Sequence, residues 1–149
     1  MRDLHRSLAA LLVVAGISLS ACGGSNPPSI PVAGKLVHVA GSPTGHVVLT
    51  PLGAQSLGVE TAAVQAAPAH GPGGPSLLVP YSSLVYDANG NTYVFVGLSA
   101  LTFAEVPVSV AQISGDSVYL LRGPAVGARV VTVGAEELYG VQTGVLEQT

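Results

Sequence analysis

From Lys35 onward the chain consists mainly of short runs of β-branched and other apolar residues, separated by glycine, proline or polar residues. Runs of this length between turn residues predict β-strands rather than helices. The runs that we interpret as strands are KLVHV (35–39), HVVLT (46–50), VETAAVQ (59–65), SLLVP (76–80), SLVYDANGNTYVFV (83–96, a hairpin), TFAEVPVSVAQ (102–112), SVYLLR (117–122) and RVVTV (129–133). The pattern predicts an all-β protein, built as a small antiparallel β-barrel or sandwich.

Two short segments carry helical signals. In TPLGAQSLG (50–58), Thr50 can cap a helix, Pro51 suits its first position and Gly58 can close it. We therefore expect one or two helical turns there. Near the C-terminus, the segment GAEELY (134–139) predicts a final helical turn.

Turn chemistry and proline refine two of the predicted strands. The hairpin contains Asn89-Gly90, the dipeptide that most readily adopts the positive φ angles of a two-residue type I′ turn. In the strand over 102–112, alternation separates two faces. One face carries Phe103, Glu105, Pro107, Ser109 and Ala111, and the other carries Val106, Val108, Val110 and Gln112. The valine face is the better core face, and Pro107 predicts a sheet edge or a bulge because it cannot donate to a ladder.

A loop divides the predicted strands into two groups. AAPAHGPGGP (66–75) contains three prolines and three glycines, which indicates a loop or a domain junction. It separates a β-barrel-like segment (35–65) from a second β domain (76–141), which is followed by a short tail (142–149).

The first 22 residues form a distinct unit. A short basic start with Arg2 and Arg6 precedes an apolar run over 8–19, which is shorter than the roughly 20 apolar residues that a membrane-spanning helix needs. Leu19-Ser20-Ala21-Cys22 follows, and Cys22 is the only cysteine, so no disulfide can form within the chain. This segment resembles a bacterial lipoprotein signal.

The resemblance implies that residues 1–21 are removed and that the Cys22 thiol carries the lipid that anchors the protein in a membrane. Residues 22–34 are rich in glycine and proline, and this composition predicts an extended tether. We therefore expect an extracytoplasmic lipoprotein, periplasmic or on the outer cell surface.

Charge narrows the range of partners. Without residues 1–21 the chain keeps three basic and seven acidic side chains, a net charge of −4. This argues against nucleic acid as a partner, because nucleic-acid binding requires clustered Lys and Arg. Charged residues make up 9% of the chain, against roughly 25% in ordinary soluble domains. Either an apolar patch marks a partner or membrane interface, or Thr, Ser, Gln and backbone groups solvate the surface.

The sequence offers no catalytic constellation, and we predict neither an enzyme nor a cofactor. Ser99 lies in GLSA, which lacks the second glycine of a nucleophile elbow. His38 and His46 could meet across a hairpin, but no carboxylate accompanies them, and we predict no metal site. The tyrosines at 81, 86, 93, 119 and 139 are either an aromatic binding face or ordinary strand residues.

The second half of the chain resembles a known family in the order and spacing of its motifs. These are Val79-Pro80 entering a strand, the hairpin with a Tyr-Val-Phe-Val strand (93–96), Phe103 with Val-Pro-Val (106–108), Gly115-Asp116, and Arg129-Val130-Val131. This arrangement is similar to the membrane-proximal end of periplasmic adaptor subunits, the HlyD-like membrane fusion proteins of RND-type efflux pumps. The stretch VVLTPLGAQSLGVETAAVQ (47–65) resembles the opening of the family's β-barrel domain.

The chain departs from the adaptor pattern in two respects. It has no room for a lipoyl-like domain or a long α-helical hairpin, and Glu105 stands where adaptors often place a basic residue. The resemblance thus implies a truncated adaptor that cannot bridge two membranes. Its partners would be an integral-membrane transporter or other adaptor protomers.

We predict an interface around four residues of the valine-rich second half: Tyr93, Glu105, Pro107 and Ser109. One alternative is a free-standing lipoprotein that binds a small ligand or ion in a β pocket, for which Tyr81, Tyr86, His38 and His46 are the available polar groups. Another alternative is an adaptor remnant without a present role.

Overall fold

The computed structural model describes residues 32–68, 73–74 and 76–144. The predicted signal peptide, Cys22, most of the tether and the last five residues of the tail lie outside this part. The strands are β1 (Gly34–Val37), β2 (His46–Leu49), β3 (Glu60–Ala63), β4 (Gln65–Ala66), β5 (Leu77–Pro80), β6 (Val85–Tyr86), β7 (Thr92–Gly97), β8 (Thr102–Pro107), β9 (Ser109–Ser114), β10 (Ser117–Arg122) and β11 (Arg129–Val133). The helices are α1 (Pro51–Leu57) and α2 (Ala135–Gln142), and a 3₁₀ turn covers Tyr81–Ser83.

The strands form two antiparallel sheets, which confirms the all-β prediction. The first sheet has the order β1-β2-β8-β7-β11-β3, with β6 also paired to β7, and the second has the order β4-β5-β10-β9. Neither sheet closes on itself within the described residues. The architecture is therefore two packed sheets with short helices.

The centre of the first sheet is buried on both faces. On β7, Val94 and Phe95 are adjacent and both 0% exposed, and on β11 the same holds for Val130 and Val131. Adjacent strand residues point to opposite faces, so each pair supplies one side chain to each of two cores. One core lies between the sheets, and the other lies between the first sheet and α2. Burial on both faces explains why these strands are continuous apolar runs.

The chain passes from one sheet to the other at two buried valines. Val64 lies between β3 and β4, where its N–H donates to the carbonyl of Ala128 at 2.8 Å and its carbonyl accepts from the N–H of Gly127 at 2.8 Å. Val108 lies between β8 and β9, and its N–H donates to the carbonyl of Thr92 at 3.0 Å. Strands that change sheets in this way form the corners of a sandwich.

Strands from both sides of the 66–75 loop share both sheets. β2 pairs with β8, β3 pairs with β11, and β4 pairs with β5. At the two ends of the loop, the N–H of Ala67 donates to the carbonyl of Ser76 at 3.0 Å. The segments 35–65 and 76–141 thus build common cores in the described chain.

The helix signals are confirmed. The hydroxyl of Thr50 accepts from the N–H of Gly53 at 2.9 Å, Pro51 is the first residue of α1, and Gly58 ends it at φ 59°. The C-terminal helix is longer than predicted and reaches Gln142. Leu138 and Val141 are buried in the first core, and this packing extends the helix beyond its local signal.

The hairpin is confirmed, but the prediction of a two-residue type I′ turn is wrong. Residues 87–91 form a longer loop in which the N–H of Gly90 donates to the carbonyl of Asp87 at 3.0 Å. Asn89 and Gly90 are therefore not the central pair, and Gly90 follows the turn at φ 82°. The Asp87 carboxylate explains the difference, because Oδ1 accepts from the N–H groups of Asn89 and Asn91 at 2.8 Å each.

The single strand predicted over 102–112 is two strands in different sheets. β8 lies between β2 and β7, so the edge prediction is wrong for this half. β9 is an edge strand with shifts in register against β10, so the prediction of an edge or a bulge holds for the second half. Both faces of β8 are covered, because Phe103 is 3% exposed in one core while Val106 packs against the other.

The contact between α1 and the chain before β1 gives a prediction about stability. Glycine in a helix interior usually costs about 0.5–1 kcal/mol relative to alanine. A Cβ at Gly53, however, would lie 1.9 Å from the carbonyl oxygen of Ala33. We expect Gly53→Ala to lower the free energy of unfolding by about 1–3 kcal/mol, the usual cost of overpacking, when measured by urea denaturation.

Ser56→Ala is the matched control, because Ser56 is an exposed residue of the same helix. Its free energy of unfolding should stay within about 0.5 kcal/mol of the parent. A Gly53→Ala protein as stable as this control would show that α1 does not pack tightly against the backbone of Ala33.

Candidate functional site

Strand β9, the longer of the two edge strands of the second sheet, is largely exposed. Within the described chain β9 pairs only with β10, and all its residues except Val110 are exposed. Residues 109–114 contain no charged side chain. Ile113 and, on β10, Leu121 are each 46% exposed. Ile113 is paired with buried Val118 and lies at the rim of the core face, whereas Leu121 follows buried Leu120 and lies on the outer face. We refer to residues 109–114 together with Leu121, which flank the edge on its two faces, as the β9 surface.

The structure brings together three of the four residues predicted as an interface. Tyr93 on β7 and Pro107 on β8 are directly paired, and Glu105 lies on the same strand as Pro107. Ser109 begins β9 in the other sheet. Pro107 and Ser109 are exposed, whereas Tyr93 and Glu105 are half-buried. Glu105, Pro107 and Ser109 thus follow one another along the chain at the corner between the sheets, and Tyr93 joins them through its pairing with Pro107. Of these four, only Pro107 and Ser109 lie at the β9 surface.

Glu105 is held against α2. Its Oε2 accepts a hydrogen bond from Nε2 of Gln142 at 2.5 Å. Partial burial raises the pKa of Glu105, and the negative charge of nearby Asp87 raises it further. The hydrogen bonds with Gln142 and Thr44 act in the opposite direction and lower it. The other amide atom, Oε1 of Gln142, is buried and has no hydrogen-bond partner among the described residues. The carboxylate is therefore part of an internal contact between the first sheet and its helix.

Tyr93 and Asp87 lie near Glu105 and form a polar cluster with it. Its hydroxyl donates to Oδ2 of Asp87 at 3.4 Å. Burial and the negative charges of Asp87 and Glu105 raise the pKa of Tyr93. Hydrogen bonds from Asn91 and Asn89 hold the pKa of Asp87 below its usual value, although partial burial acts in the opposite direction.

The four polar groups considered for a ligand pocket do not form one site. Tyr81 and Tyr86 line a cleft of about 350 Å³ together with Glu136 and Glu137. The histidines lie elsewhere, since His46 on β2 is paired with Val37 and His38 follows the end of β1. No group of three metal-binding side chains occurs in the part of the chain that the structure describes.

A second cleft, of about 420 Å³, contains an arginine that the sequence did not single out. Its lining includes Ala54 and Val59 beside the first sheet, Leu98 and Phe103 around the β7–β8 turn, and Arg129 at the start of β11. Arg129 is held by Thr61, which is 68 residues away in sequence. No local pattern marks such a pair, because the pairing of β11 with β3 brings the two residues together.

Neither helix in the described residues is long and apolar enough to cross a membrane. The chain matches no protein-family model, and no curated protein is significantly similar to it.

The Glu105 contact predicts a dependence of stability on pH. Because its pKa is raised in the folded state, the contribution of Glu105 to stability is full below its unfolded pKa, about 4.3. That contribution is lost as the pH rises through the folded pKa. Glu105→Gln removes the buried charge and can donate to the unpaired Oε1 of Gln142. We expect the variant to be more stable than the parent by up to about 1 kcal/mol at pH 7, with the difference shrinking towards pH 4.

Glu60→Gln is the control, since Glu60 is an exposed carboxylate on β3. Its free energy of unfolding should stay within about 0.5 kcal/mol of the parent at pH 7 and pH 4. A Glu105→Gln protein that is less stable than the parent at pH 7 would contradict the assignment of Glu105 as a half-buried charge whose partial loss of solvation destabilises the fold.

Proposed function

We propose that the chain is a lipid-anchored, extracytoplasmic adaptor-like module that binds an integral-membrane transporter, of the efflux-pump kind, or another envelope protein. The observation that carries the proposal is the β9 surface, an uncharged and exposed sheet edge. Edge strands present unpaired N–H and C=O groups, and proteins usually protect them with charges, prolines or bulges. Here Pro107 and the irregular register protect the start of β9, while Gln112 to Ser114 carry no such protection.

The side chains of this surface suit a protein partner. Ile113 and Leu121 are nearly half exposed, and interfaces are typically depleted of charge at their centres. Asp116 and Arg122 lie at opposite ends of β10, where they can form part of a polar rim. A partner that covers β9 would bury apolar area and satisfy edge backbone groups together.

The predicted interface is best centred on its second half. Pro107 and Ser109 adjoin the β9 surface, whereas the charge of Glu105 is already engaged by Gln142. The tether over 22–34, at about 3 Å per extended residue, would place this surface some tens of ångströms from the lipid head groups. That reach suits the extracytoplasmic part of a transporter in the same membrane.

Site-specific photo-crosslinking in native membranes tests the proposal. A photoreactive residue at Ser109 or Ile113 of the anchored protein should give one discrete adduct, which mass spectrometry identifies as a transporter or a component of an envelope assembly. The same probe at Gln55, an exposed residue of α1, should give none. Ile113→Lys should abolish co-purification of this partner because it buries a charge at the contact, whereas Gln55→Lys should leave it unchanged.

Two further outcomes bear on the proposal. Cys22→Ala should release the protein from the membrane fraction or leave it uncleaved, with loss of the adduct, because stable anchoring needs the acyl chains. Equal labelling from Ser109, Ile113 and Gln55, or no adduct from any of them, would reject the β9 surface as the docking site.

A further inference from the structure

The cleft around Arg129 has the composition of a small-ligand site. Its volume of about 420 Å³ falls within the range of about 300–1,000 Å³ typical of such sites. Ala54, Val59, Leu98 and Phe103 form the apolar part of its lining, Thr61 and Ser99 add hydroxyl groups, and Arg129 is the only charged residue in the lining. Sites for small molecules usually combine an apolar lining with a few fixed polar groups.

The guanidinium of Arg129 is held in place but has donors to spare. Its Nε–H donates to Oγ1 of Thr61 at 3.0 Å, and Nη2 donates to the carbonyl of Thr61 at 2.9 Å. A guanidinium has five N–H donors, so three remain. Two of these three free N–H groups, one on each terminal nitrogen, point in parallel. This pair matches the two oxygens of a carboxylate.

Among the described residues, Arg129 also has no ionic partner. In the part of the chain that the structure describes, no carboxylate forms an ion pair with Arg129, whose hydrogen bonds go to Thr61. The described residues contain only two other basic side chains, Lys35 and Arg122. A fixed cation beside an apolar lining, in a chain of negative net charge, selects an anion that carries an apolar body.

We propose that this cleft binds a small amphipathic carboxylate. The carboxylate pairs with the two terminal nitrogens of Arg129, and a short alkyl or aryl body packs against the apolar part of the lining. Leu98, which is 53% exposed in the free protein, is covered by the ligand. Burial of this side chain supplies apolar binding energy, and the planar two-oxygen head group supplies specificity.

A purely structural role for Arg129 predicts something different. The Arg129–Thr61 hydrogen bonds join β11 to β3, and in that role they need no ligand. Only ligand binding predicts a response of the cleft residues to an added carboxylate. The inference is also independent of the proposed partner, because binding is measured in the absence of any other protein.

The experiment titrates 4-phenylbutyrate into the purified full-length chain in phosphatidylcholine nanodiscs and follows backbone amide shifts by NMR. We expect saturable shifts at Thr61, Leu98 and Arg129. Acetate, which has the head group alone, and 4-phenylbutanol, which has the body without the charge, should each bind at least about tenfold more weakly, since a charge-assisted pair contributes roughly that factor or more.

Two variants test whether binding depends on the arginine of the cleft. Arg129→Gln should weaken binding at least about tenfold, while Arg122→Gln, the same change at an exposed arginine of β10, should leave it within about twofold of the parent. If Arg129→Gln does not fold, Leu98→Ser decides, because Leu98 is exposed and its loss should still weaken binding severalfold. Absence of shifts in the cleft, equal binding of 4-phenylbutanol, or unchanged binding by the folded Arg129→Gln protein would overturn the proposal.

Discussion

The centre of the first sheet is buried on both faces, and the positions of the other elements follow from this. This sheet supplies side chains to two cores. Val94 and Val130 lie in one core, and Phe95 and Val131 lie in the other. One core requires the second sheet, and the other requires α2. The elements that complete these cores are short, and the second sheet ends at β9 without a further strand among the described residues. The exposed, uncharged edge is thus a consequence of how the core is built.

Local signals predicted the elements well where the deciding interactions are local. The cap of α1 depends on Thr50, Pro51 and Gly58, all within one short segment. Most strand runs between glycines and prolines were correctly located, but the run over 59–65, like that over 102–112, is divided between strands of different sheets. Alternation was less informative for the strand at Phe103 and Val106, because it assumes one buried face, whereas β8 packs on both. The hairpin turn was misassigned because the Asp87 side chain binds the loop backbone, an interaction that the Asn-Gly pair does not reveal.

The candidate sites depend more strongly on tertiary structure than the strands do. The sequence located Pro107 and Ser109 beside the edge strand, but it could not show that Glu105 is engaged by Gln142, 37 residues away. The arginine cleft was not foreseen, because Arg129 and Thr61 meet only through the pairing of β11 with β3. Sequence patterns therefore indicate which residues form strands, while the charges that matter for binding become apparent only when the sheet order is known.

Hydrogen–deuterium exchange in native membranes is the decisive test of the proposed docking role of β9. Edge-strand amides that lack a partner strand exchange quickly in the isolated protein. The account predicts that, in native membranes, amides over 109–114 become protected relative to the purified protein, whereas those of α1 do not change. Equal exchange over 109–114 in the two preparations would contradict the claim that β9 is the surface through which this protein acts.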